Sequence, residues 1–140
     1  MKTIEFKDST GNTFAFVRKD HDKPWIYIQW VGVLKVDEIK KVMTQNINFL
    51  KEINCQYVLS DRSKSEGNLF ELSHFIEHKW ASSAVEAGLR GVANVTAPSA
   101  PSAFTSQDLA SRVLGFEFKS FGSLEEAEAW LIECSSMARH

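Results

Sequence analysis

The segment Trp25–Val33, WIYIQWVGV, constrains this chain more than any other. An extended strand points alternate side chains to opposite faces. Here one face carries Trp25, Tyr27 and Val31 and the other Ile26, Ile28 and Trp30, so both are largely apolar. Such a strand belongs in the middle of a sheet that is covered on both sides. Pro24 marks the turn before it.

The remaining segments supply the neighbours and the cover. Thr3–Phe6 and Thr13–Lys19 alternate, and the turn-rich KDSTGN between them predicts a hairpin. Val36, Ile39, Val42, Met43, Ile47, Leu50 and Ile53 recur at helical spacing, with Asp37 and Glu38 in a first turn where the helix dipole favours acids. Gln56–Asp61 predicts a short strand, and a long helix covers about Asn68–Ala87 before Gly88 stops it. Gly91–Ala97 is a buried strand, followed by the loop PSAPSAF. TSQDLASRVL is a helix opened by a Thr105/Asp108 capping box and closed at Gly115. FEFKSF is the last strand, and SLEEAEAWLIEC the last helix, with Ser123 and Glu126 as a second capping box. The order β-β-β-α-β-α-β-α-β-α predicts one α/β domain over residues 1–140. Its sheet is mixed and mostly parallel, with about five to six strands, an antiparallel N-terminal part and four flanking helices.

Bulk properties narrow the function. A net charge of −2 leaves no basic stripe for phosphates, which argues against nucleic-acid partners. No apolar run approaches the roughly 18 residues of a membrane span, and the N-terminus turns polar too early for a signal peptide, so a cytoplasmic location without integral membrane association is expected. Cys55 and Cys134 form no C-x-x-C pair and read as reduced, buried thiols. The sequon at Asn94 carries no weight without secretion.

HFIEH, His74 to His78, spells the H-x-x-E-H zinc signature. At about 100° per residue the apolar stripe of this helix runs through Leu69, Leu72, Ile76 and Trp80. His74 and His78 fall on nearly the opposite side beside Glu71, and Glu77 lies nearer the stripe's edge. A catalytic zinc needs inward ligands and a third donor. The expectation is therefore no metal and no cofactor, with Glu71, His74 and His78 an adventitious surface set at most. Ser60, Asp61 and His74 have no triad spacing, and no nucleophile elbow or phosphate loop occurs. The four tryptophans fit packing.

Ligands of open α/β sheets gather beyond the carboxyl ends of parallel strands. The segment SDRSKSEGN holds Asp61, Arg62, Ser60, Ser63 and Ser65 ahead of a helix N-terminus, a setting suited to an anion, although a polar helix-capping loop is the favoured reading.

The element order, the strand end LSDRSKSEGN, the segment AVEAGLRGVANVTAPSAPSAFTS and the ending FEFKSFGSLEEAEAWL together resemble the SpoIIAA-like, STAS-type domains, over roughly Trp25 to Leu131. The resemblance implies a mixed sheet flanked by helices and a non-enzymatic regulatory or binding role, with a protein partner, nucleotide or other small ligand. It also implies a candidate phosphorylation site, Ser65 being the nearest match to a serine in a D-S-S-G stretch that this chain lacks. The resulting expectation is a homodimeric signalling module that recognises its partner through Asp61, Arg62, Ser63, Ser65, Gly67 and Trp80. A carrier of lipid or another small apolar molecule, with a pocket under PSAPSAF, is the second reading. A metal-dependent hydrolase using HFIEH is the third.

Overall fold

The computed structural model describes residues 3–20, 22–66, 75, 79–96 and 115–137. β1 (Ile4–Lys7) and β2 (Thr13–Lys19) form the expected antiparallel hairpin. Its turn is closed by Asp8, whose Oδ1 accepts from the Thr10 amide at 2.9 Å and the Asn12 amide at 3.0 Å. β3 (Ile26–Val33) pairs antiparallel with β2. α1 (Val36–Ile53) then crosses to β4 (Tyr57–Glu66), which runs parallel to β3. α2 (Ala81–Glu86), β5 (Gly91–Val95), β6 (Glu117–Phe121) and α3 (Leu124–Met137) complete the described elements. The strands lie in sequence order, β1-β2-β3-β4-β5-β6, and the pairings from β3 to β6 are parallel.

A sheet that advances in one direction by right-handed crossovers carries its connecting helices on one face. α1 and α2 share that face. Ile39, Val42 and Leu50 of α1 and Ala81 and Ala84 of α2 pack with Ile26, Ile28, Trp30, Val58 and Val92 of the sheet. α3 covers the other face, where Ala127 and Leu131 meet Trp25, Tyr57, Leu59, Ala93 and Val95. β3 is therefore apolar on both faces because both are covered. Gly91 admits the α3-side packing: a Cβ there would lie 3.1 Å from the Tyr57 ring.

The helix ends follow their local chemistry. α1 stops at Asn54, which takes the left-handed conformation at φ 53° and returns its N–H to the Leu50 carbonyl. α3 opens on one half of the expected capping box: the Glu126 amide donates to Ser123 Oγ at 3.3 Å, while the Glu126 carboxylate accepts from the Ser123 hydroxyl at 3.2 Å, where the full box would use the Ser123 amide.

Two sequence expectations change. Three helices are described against four expected; residues 105–114, the remaining one, lie outside the described residues, and of the helix expected over Asn68–Ala87 the structure describes Phe75 and Lys79 onward. The strand expected at Gln56–Asp61 runs on to Glu66. Asp61 to Glu66 is thus sheet and not a polar loop before a helix. The cause is β3, whose end at Val31–Val33 offers a ladder that pairs with Lys64–Glu66 whatever the side chains there.

Candidate functional site

Register decides which side chains of β4 can act together. Gln29 pairs with Asp61 and Val31 with Lys64, so Arg62 and Ser63 both stand opposite Trp30 in a bulge. Bulges re-aim side chains and recur beside functional sites. Before the bulge, alternation sends Asp61 to the α3 face, beside Tyr27. Arg62 goes to the α1–α2 face, beside Ser60 and Trp30. The adjacent residues Asp61 and Arg62 therefore serve different sides of the sheet.

On the α3 face, Tyr27 donates its hydroxyl to Asp61 Oδ2 at 2.6 Å, and Asp61 Oδ1 accepts from Ser63 N at 3.0 Å and Ser63 Oγ at 2.7 Å. Arg18 lies over the Tyr27 ring, 4.7 Å from its centroid. Burial, then the hydrogen bond to the Asp61 carboxylate, raises the Tyr27 phenol well above its ordinary value. The folded state thus prefers the protonated phenol, so Tyr27 contributes stability that is complete below its unfolded pKa near 10 and is lost as pH rises above it. Urea unfolding between pH 8 and pH 11 is expected to show wild type losing more stability above pH 10 than Tyr27→Phe does. Equal losses would show that this phenol does not couple to folding.

On the other face a cavity of about 60 Å³, partly open to the surface, lies between the sheet and α1–α2. Ile28, Trp30, Val58 and Val92 form its floor, Ile39, Met43 and Asn46 of α1 its roof, and Trp80 and Phe116 its side. The Trp80 and Phe116 rings meet edge to face with centroids 5.8 Å apart. The walls are almost wholly apolar, and Ser60, Arg62, Asn46 and Asn94 bring the polar groups.

Most of those groups have assigned partners. Trp30 Nε1 donates to Ser60 Oγ at 2.8 Å, Trp80 Nε1 to the Met43 carbonyl at 2.8 Å, and Asn94 Nδ2 to Ser120 Oγ at 3.2 Å. Arg62 is 4% exposed, and burial lowers its guanidinium from the ordinary value. An arginine still carries its charge at neutral pH. Asn46 is 2% exposed, and its Oδ1 accepts no hydrogen bond from the described residues.

The residues expected to form one recognition surface thus part company. Arg62 and Trp80 meet in the cavity wall, and Ser60 joins them. Asp61 and Ser63 belong to the Tyr27 cluster across the sheet. Ser65 is 5% exposed and donates its hydroxyl to the Arg62 carbonyl at 2.9 Å, so a kinase would have to open this strand end to reach it. Gly67, Glu71, His74, Glu77 and His78 lie outside the described residues. Among the described residues, no group of three or more His, Cys, Asp or Glu is placed to hold a metal ion, and no helix is long and apolar enough to cross a membrane. Cys55 and Cys134 are free thiols, Cys55 buried and Cys134 only partly so.

Sequence reasoning missed Asn46 and Asn94. The signal was present: Asn46 interrupts the stripe Ile39–Met43–Leu50, and Asn94 sits inside the apolar run GVANV.

No family model and no curated protein matches the chain. Among solved structures it is similar to an uncharacterized protein of the DUF3478 family with a SpoIIAA-like fold, from Shewanella loihica. The two share 18% identity over 84% of this chain and 91% of that one, with a TM-score of 0.46.

Proposed function

We propose that the protein is a non-catalytic binding module whose ligand is a small, mostly apolar molecule held in the cavity between the sheet and α1–α2. The observation that carries this reading is an apolar cavity with buried polar side chains, Arg62 and Asn46 among them, set into its wall. Ligand sites are apolar concavities with a few placed polar groups. The chemistry of the wall supports binding over turnover. Ser60 Oγ accepts the Trp30 indole N–H, and among the described lining residues there is no His or carboxylate to activate it.

Size supports a small ligand. A cavity of about 150 Å³ holds benzene, whereas this one measures about 60 Å³. An acyl chain does not fit it. Occupancy would tie together β4, α1 and the Trp80 segment, so binding would register as stability. In a thermal-unfolding titration, acetamide is expected to raise the midpoint saturably. Val92→Ile, which adds a methylene to the floor, is expected to weaken that effect several-fold while keeping the fold. A flat titration, or one indifferent to Val92→Ile, would overturn the reading.

A further inference from the structure

We infer that Asn46 reads a hydrogen-bond donor on the cavity's ligand, which is therefore a small apolar molecule carrying an N–H or O–H group. This rests on the binding role proposed for the cavity and names the ligand's chemistry. Asn46 occupies a buried position of α1 between Val42 and Leu50, where the helix faces the sheet. Asparagine is a weaker helix former than leucine, and a buried amide oxygen left without a donor is destabilising. An apolar residue would serve the fold better at that position.

No donor among the described residues of the wall reaches Asn46 Oδ1. The Trp30 and Trp80 indoles are directed to Ser60 and Met43, and the Asn94 amide to Ser120. Buried acceptors are almost always paired, and the residue that carries this one lines the cavity. The complement to it is a donor delivered on an apolar body.

Two probes of nearly equal shape test this: acetamide, and acetone, which has a methyl group where the amide has NH2. Binding is read by ligand-observed NMR titration against wild type and Asn46→Leu. Wild type is expected to favour the amide by about fivefold, the worth of one net hydrogen bond. Asn46→Leu is expected to erase or reverse that preference and to raise the unfolding midpoint. Equal binding of both probes to wild type, as when a water alone satisfies Asn46, overturns the inference and leaves the cavity's binding role standing. Binding of neither probe overturns both. A preference for the amide that survives Asn46→Leu, or a lowered midpoint in that variant, also overturns it, since Asn46 would then serve another contact.

Discussion

Trp80→Ala is expected to lower the unfolding free energy by about 3–5 kcal/mol. Trp80 is 5% exposed and ties three elements together: its ring meets Phe116 edge to face, its Nε1 bonds the Met43 carbonyl of α1, and its body walls the cavity. Truncation removes the apolar burial, loses the second hydrogen bond to a helix carbonyl and enlarges a space already present, so the surroundings cannot close it fully. Urea denaturation at neutral pH measures the loss. Trp80→Phe keeps a ring against Phe116 and loses the indole bond, and it is expected to cost about 1–2 kcal/mol. A loss under about 1 kcal/mol for Trp80→Ala would mean that this side chain does not seal the α1–α2 face.

Leu131→Ala is expected to cost about 2–5 kcal/mol, and its role is to separate stability from binding. Leu131 is fully buried on α3, on the side of the sheet that faces away from the cavity. Its loss is comparable to that of Trp80→Ala, yet it touches no cavity wall. At a temperature where both variants remain folded, Leu131→Ala is expected to bind acetamide as wild type does. Trp80→Ala is expected to change that affinity several-fold. If both variants lose binding in proportion to stability, the effect is general loosening and the cavity has no special part in it.

Much of the architecture was legible in the sequence because it rests on periodicity. The two apolar faces of Trp25–Val33 called for cover on both sides, and α1–α2 and α3 supply it. α1 follows the stripe from Val36 to Ile53, and the Ser123/Glu126 box marks the start of α3. Polar Asp61–Glu66 misled because its strand is imposed by pairing with the end of β3, a tertiary effect with no local signature. The site was harder still. Asp61 and Arg62 are neighbours in sequence, and strand alternation alone separates them. Arg62 and Trp80 meet only after a crossover, and Asn46 reaches them from α1. A polar residue inside an apolar stripe was the usable clue. What it signifies depends on what it faces, and that is a property of the packed fold.

On the proposed reading, Asn46 also illustrates how a binding site costs stability. A buried acceptor without a donor destabilises by about 1–3 kcal/mol, and proteins tolerate such costs where function requires them. The Tyr27–Asp61–Ser63 cluster across the sheet is the contrast, since its carboxylate accepts three donated hydrogen bonds within the protein itself.

The most direct measurement is a set of intermolecular nuclear Overhauser effects between acetamide and the protein's methyl groups. The cavity account predicts contacts from the acetamide methyl to Ile28, Ile39, Val58 and Val92, which line the cavity, and none to Leu131 or Val95 on the α3 face. Contacts on the α3 face, or none to the four lining residues at saturating acetamide, would contradict it.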